Sequence, residues 1–366
     1  MSTVSDREEH AISLIYFGTP AYACPALQVL AKDARFKVLA VVTQPDRPSG
    51  RGKKLTPPPV RVLADELSIL CFQTVSIKKD AELQVELKAL APDFFVTVAF
   101  GQILTQAVLD IPQKGTVNAH ASLLPLLRGA NPIQHAILEG HKTTGVTTMI
   151  TELGVDTGPM LKKEAIEIAS SDSLGELADR LAEINGPLLV DTLLALHSGV
   201  LKPETQDDAL ATQAPKCPKE LAILNWAESA DILQRKIHAF NPAPGAVTFL
   251  GEERIKILRA EVLTANDSSK LTGPLNSPPV EPVTGLTKAN SPPGRGGDEV
   301  DGVVSGSPGD ILAITDNGLL VMCSDAPLLI TSLQPAGKKE MAAKDWARGF
   351  FKGDSKPKAT FESSLL

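Results

Sequence analysis

Through the first two-thirds of this 366-residue chain, short apolar runs alternate with amphipathic stretches. Residues 12–17, 37–43, 93–99 and 115–120 are nearly unbroken apolar runs, the pattern of strands buried on both faces. Helical spacing occupies 25–32 and 81–90 between them. This βαβ alternation predicts an α/β fold, a Rossmann-like, mostly parallel sheet covered by helices. From Gly145 the pattern changes: 146–150 and 160–168 flank a Gly-Val-Asp-Thr-Gly-Pro turn and predict a hairpin-like pair. The stripe Leu174, Leu177, Leu181, Ile184 and Leu188 then predicts a helix over 174–196.

After Gly199 the polar, aperiodic stretch 201–215 reads as a linker, separating a domain at 1–200 from a second at 216–366. A helix over 228–240 must end before Pro242, because proline disfavours helix in the residue preceding it. Five strand candidates follow, at 245–250, 255–263, 310–315, 319–323 and 328–332, and predict a small OB-like β-barrel. Between them, 266–309 is rich in Pro, Gly, Ser and Asn and poor in large apolar groups. It reads as a disordered insertion, with a folded functional loop as the alternative.

Composition narrows the partners. A net charge of -7 argues against coating nucleic acid by bulk electrostatics, yet leaves room for a local basic patch. Almost all of the excess acid precedes Lys216, whereas the tail over 338–358 is basic. The four cysteines form no CxxC pair and the histidines show no metal spacing, so the sequence predicts a reducing cytoplasm and no metal. The acidic start is unlike a secretory or transit signal, and no apolar run nears the roughly 20 residues of a membrane span.

Candidate chemistry concentrates in residues 115–125, GTVNAHASLLP, and 154–158, GVDTG. Side chains two apart on a strand share a face, so Asn118 and His120 converge at a strand end, where open α/β sheets bind ligands. With Asp156 they supply a donor, a titratable base and an acid, the parts of an acyl-transfer site. A turn-capping Asn, an interior His and an Asx-turn Asp would show the same spacing. The stretch 43–54, TQPDRPSGRGKK, concentrates Arg47, Arg51, Lys53 and Lys54 on a loop whose prolines and glycines disfavour regular structure. A polyphosphate backbone is its natural partner, a solvated basic loop the plainer reading. Phe100 and Gly101, like Leu123 to Ala130, lie just past strand ends, where backbone amides can face a planar heterocycle. Core and turn roles fit their composition as well.

Taken together, these residues resemble the family of 10-formyltetrahydrofolate-dependent formyltransferases. The run Asn118 to Pro125 and the blocks 144–149 and 154–158 carry the resemblance. Within the family, residues 44–54, Ala239 to Pro242 and Gln334 to Lys339 resemble the branch acting on methionyl-tRNA. The resemblance implies transfer of a formyl group to the amine of initiator methionyl-tRNA, in translation initiation; the start, without a basic presequence, favours a bacterial-type cytoplasm, and a monomer is expected. It implies catalytic Asn118, His120 and Asp156, and a folate-binding run of Ser122, Leu123, Leu124 and Pro125 with Phe100 and Gly101. It also implies tRNA contacts from Arg47, Arg51, Lys53, Lys54, Lys338 and Lys339, with Arg51 nearest the acceptor end. Leu126 and Leu127 stand where many members carry larger or basic residues, and Ala243 where a Trp is common. A formylfolate hydrolase, formyltransferases acting on sugar or glycinamide nucleotides, and an RNA-binding module are the rival readings.

Overall fold

The unbroken apolar runs become strands with both faces covered. The computed structural model describes residues 11–49, 52, 54–263, 306–352 and 358–364. The described residues form two units: one takes those up to Ala136, Lys142–Ile168 and Glu176–Lys216, the other Ile137–His141, Ala169–Gly175 and those from Cys217 onward. Residues 266–305 of the expected insertion lie outside the described residues.

In the first unit the chain runs β1 (Ile12–Gly18), α1 (Cys24–Lys32), β2 (Phe36–Thr43), β3 (Arg47–Ser49), β4 (Lys54–Thr56), α2 (Pro59–Glu66) and β5 (Cys71–Gln73). It continues through α3 (Ala81–Ala89), β6 (Phe94–Val98), α4 (Gln106–Leu109), β7 (Thr116–His120), α5 (Pro132–Leu138), β8 (Thr143–Ile150), β9 (Met160–Glu167) and α6 (Leu174–His197). The main sheet has the order β5-β2-β1-β6-β7-β8-β9. It is parallel from β5 to β7 and antiparallel beyond, as the hairpin-like pair predicts. One face packs Ile15, Phe17, Ala40, Val42 and Phe95 against Leu83 and Leu87 of α3. On the other, the fully buried Tyr16 hydroxyl donates to the Ala23 carbonyl at 2.6 Å, just ahead of α1. Two covered faces leave no polar alternation, which is why these strands read as solid apolar runs.

Residues 201–215 do not run loose as a linker. Glu204 exchanges backbone hydrogen bonds with Met160 at 2.7 and 2.8 Å, and Ala214 donates to Arg128 O at 2.7 Å. Gln206 and Ala214 are buried. Gln206, Asp208 and Thr212 spend side-chain hydrogen bonds inside the unit, while most of the other polar residues of the stretch are exposed.

The second unit holds α7 (Ala230–Ala239), β10 (Ala246–Leu250), β11 (Glu253–Val262), β12 (Ile311–Ile314), β13 (Leu319–Met322), β14 (Pro327–Pro335), β15 (Met341–Ala342) and α8 (Ala343–Phe350). Ser229 caps α7 by accepting from Ile232 N. The strand order is β10-β11-β14-β13-β12, with β15 on β14. Both ends of that path pair with one segment: Phe249 with Glu362, and Asp310 with Thr360. Residues 360–362 thereby close the ring around Trp226, Ile255, Leu319, Ile330, Trp346 and Phe361. All five expected strands form; β15, α8 and the closing segment were not anticipated. Among the described residues no helix is long and apolar enough to cross a membrane.

Candidate active site

The site grows from β7, where the sheet changes from parallel to antiparallel. Asn118 lies opposite Thr97 of β6, and the Thr97 hydroxyl donates to Asn118 Oδ1 at 2.9 Å. That bond occupies Oδ1 with the hydroxyl as donor. Nδ2, the donor end, is left without a protein partner among the described residues, on the face that it shares with His120.

His120 is buried, with 6 % of its side chain exposed. Its Nε2 lies 3.0 Å from the Leu127 carbonyl oxygen. A carbonyl cannot donate, so Nε2 carries the hydrogen and Nδ1 turns to Asp156 Oδ2 at 3.5 Å. The same Oδ2 accepts from Gly129 N at 2.8 Å. A proton arriving at this pair has the Nδ1 lone pair and the carboxylate to share it. Leu127 adopts φ +58°, a left-handed conformation rare for leucine, and the backbone there aims its carbonyl at the histidine. Asp156 is also left-handed, at φ +53°. Its turn needs Gly158, since a Cβ there would lie 1.9 Å from the Ile150 carbonyl oxygen.

Immediately after β7, the Thr147 hydroxyl staples the next turn. It donates to Ser122 O at 2.7 Å and accepts from Leu124 N at 3.0 Å. Ser122 is buried and donates to Leu126 O at 2.6 Å, and the Leu124–Pro125 peptide is cis. Leu123 is half-buried, while Leu124 belongs to a small core with Met149 and Met160. The Phe100 side chain is turned into the main core, edge-on to Phe17 at 5.3 Å, and its carbonyl accepts from the Thr19 hydroxyl at 3.0 Å, while Gly101 is exposed.

The basic loop is more ordered at its base than its composition suggests. Arg47 to Ser49 pair antiparallel with Lys54 to Thr56. Arg47 donates to Gln44 Oε1, and Gln44 Nε2 donates to Phe100 O at 3.0 Å. Gln73 adds bonds to Gln44 O at 3.1 Å and Asp46 Oδ1 at 2.9 Å. Arg47 and Lys54 are exposed; Arg51 and Lys53 lie outside the described residues. Lys338 and Lys339 are exposed beyond β14 in the second unit. The structure thus brings His120 and Asp156 together at the end of β7, with Asn118 two residues earlier on the same face of the strand and Ser122 to Pro125 directly after it. Reasoning from sequence missed Thr97, Thr147, the Leu127 carbonyl and the Gly129 amide.

The formyl transferase family profile matches residues 12–193, and that of the formyl transferase carboxy-terminal domain residues 216–350. A methionyl-tRNA formyltransferase of Pseudomonas putida is 41% identical over 91% of this chain and 94% of its own. That of Citrifermentans bemidjiense is 37% identical over 92% and 93%. Among solved structures, HypX from Aquifex aeolicus in complex with tetrahydrofolic acid aligns with a TM-score of 0.57 at 14% identity, covering 97% of this chain and 52% of that one. The N-formyltransferase from Helicobacter canadensis gives a TM-score of 0.56 at 14% identity, covering 87% and 98%. These two likenesses concern the fold.

Proposed function

The chain belongs to the formyl transferase family, in its methionyl-tRNA branch, and we propose that Asn118, His120 and Asp156 carry out its transfer of a formyl group from 10-formyltetrahydrofolate to the amine of methionyl-tRNA. The observation that carries this reading is the division of hydrogen bonds on β7. Thr97 holds the Asn118 carbonyl oxygen and the Leu127 carbonyl holds His120 Nε2. An amide donor and a proton-accepting pair then remain at the sheet's ligand-binding end.

Such a site suits a formyl carbonyl. The methionyl amine adds to the formyl carbon, whose oxygen gains charge and draws a hydrogen bond from Asn118 Nδ2. A preorganised donor of this kind lowers the barrier by about 3 kcal/mol. The amine's proton passes to the His120–Asp156 pair. As the carbon–N10 bond breaks, the proton goes to N10, so atoms and charge balance and the pair is restored. Ser122 to Pro125 and the Phe100–Gly101 backbone would hold the donor. Arg47, Arg51, Lys53 and Lys54, with Lys338 and Lys339 of the second unit, would hold the acceptor's phosphates. Residues 1–200 supply the chemistry and the basic loop, 201–215 continue that unit, and 216–366 add the rest of the RNA grip, in a monomer of the bacterial cytoplasm selective for initiator tRNA. Labelled formylfolate offered with charged initiator and charged elongator tRNA tests this. Formylmethionyl initiator tRNA is the expected product, and release of formate without an acceptor would refute it.

A further inference from the structure

We propose that the segment 204–214 belongs to the catalytic apparatus, with Gln206 as a positioning residue for Asp156 and Thr212 as one for His120. The inference rests on the reading of that pair as the proton carrier. Gln206 is 6 % exposed, and both ends of its amide are committed. Nε2 donates to Asp156 O at 2.8 Å and to Gly158 O at 2.7 Å. Oε1 accepts from Arg128 Nε at 2.9 Å, and the second arm of that guanidinium reaches Asp208 Oδ1 at 2.8 Å. Arg128 is itself 5 % exposed. Two carbonyls of the left-handed Asp156 turn are therefore held by one amide, whose orientation is locked by a buried cation.

The other member of the pair is held a few residues along the same strap. The Thr212 hydroxyl accepts from Leu127 N at 2.8 Å, and Thr212 O accepts from Arg128 N at 2.9 Å. These bonds fix the peptide units that flank Leu127, whose carbonyl sets His120 Nε2. Ala214 O accepts from Asn131 N at 3.1 Å, and a Cβ at Gly129 would lie 2.8 Å from that oxygen. The strap thus presses close to the residue whose amide donates to Asp156 Oδ2. A surface connector needs none of this. One passing strand of chain sets the backbone behind both proton-handling groups.

The test uses the full chain, steady-state formylation of charged initiator tRNA, and thermal melting as a control for folding. Gln206→Glu is isosteric but puts an acceptor against two carbonyls. It should lower kcat about 10- to 100-fold, the penalty for misplacing a catalytic group by an ångström or less, with both KM values within about twofold. Thr212→Val should lower kcat in the same way and Thr212→Ser should restore it. On an Asp156→Asn background, Gln206→Glu should cost less than about twofold more, because its effect passes through Asp156. Three results would overturn the inference: wild-type kcat in folded Gln206→Glu and Thr212→Val, failure of Thr212→Ser to rescue, or equal cost on both backgrounds. Wild-type kcat in Asp156→Asn alone would remove the reading of the pair, and the strap's role with it. The single variants therefore separate the two failures.

Discussion

Replacing Thr97 by valine isolates the element of the site that touches no substrate. Among the described residues the hydroxyl bonds Asn118 Oδ1, at 2.9 Å, and Thr97 is 7 % exposed, so valine fills the space without the donor. A hydrogen bond of this type contributes about 1 kcal/mol net, and up to about 3 where the stranded acceptor stays dry. Without it the amide can turn over and present Oδ1, instead of Nδ2, to the developing oxyanion. At about 1.4 kcal/mol per factor of ten, kcat should fall from roughly fivefold to at most about 10²-fold, with KM for both substrates unchanged. Thr97→Ser keeps the donor and should behave as wild type, while Asn118→Ala should lose about 10²- to 10³-fold. The assay is steady-state formylation with labelled donor for kcat and KM, with a single-turnover run for the chemical step. If Thr97→Val costs as much on an Asn118→Ala background as on the parent, or costs less than twofold on the parent, the amide-orienting argument is wrong.

Three further outcomes follow from the same geometry. His120→Ala should lose orders of magnitude in kcat while tRNA affinity, read by filter binding, stays within about twofold; parallel loss of both would reject a chemical role. Arg47→Ala and Lys54→Ala should each weaken tRNA binding and flatten the slope of log affinity against log salt by about 0.7–0.9 per lost phosphate contact, so an unaltered slope would remove them from the RNA interface. Stability should decline in alkali. Burial, reinforced by nearby Asp325, pushes the Cys323 thiol up to about 12, and burial pushes the Tyr22 hydroxyl up to about 12. The folded form holds both protons more tightly than an unfolded chain does, so this contribution is whole below about pH 9. It fades as pH rises towards 12, at a limiting slope of about 1.4 kcal/mol per pH unit for each group. Urea midpoints between pH 8 and 11 check this. A flat profile, or no change of slope in Cys323→Ala, would contradict it.

Much of this architecture could be read from the order of residues, because burial on two faces and strand-end chemistry leave local marks. The runs that became β1, β2, β6 and β7 were legible from apolarity alone, and the shared face of Asn118 and His120 from strand periodicity. What escaped has no local signature. The Leu127 group that matters is a main-chain carbonyl, and a leucine at positive φ is set by tertiary packing rather than by residue type. Thr97 is one threonine in an apolar strand, meaningful only once β6 lies beside β7. Gln206 and Thr212 look like solvent-seeking residues until partners 48 to 85 positions away appear. The last helix is a different case, because Ala343, Trp346, Ala347 and Phe350 do stand at helical spacing, and the first three are buried in the barrel core.

The way in which residues 360–362 join β10 to β12 has a consequence for life in a crowded cell. A sheet path that ends in two unpaired strands offers raw amide and carbonyl rows to any passing polypeptide, the usual seed of aggregation. Here the Phe249 amide and carbonyl are both taken by Glu362, and the Gly309 carbonyl is capped by Phe361 N at 2.8 Å. A nascent second unit is therefore adhesive until residues 360–362 are threaded into place.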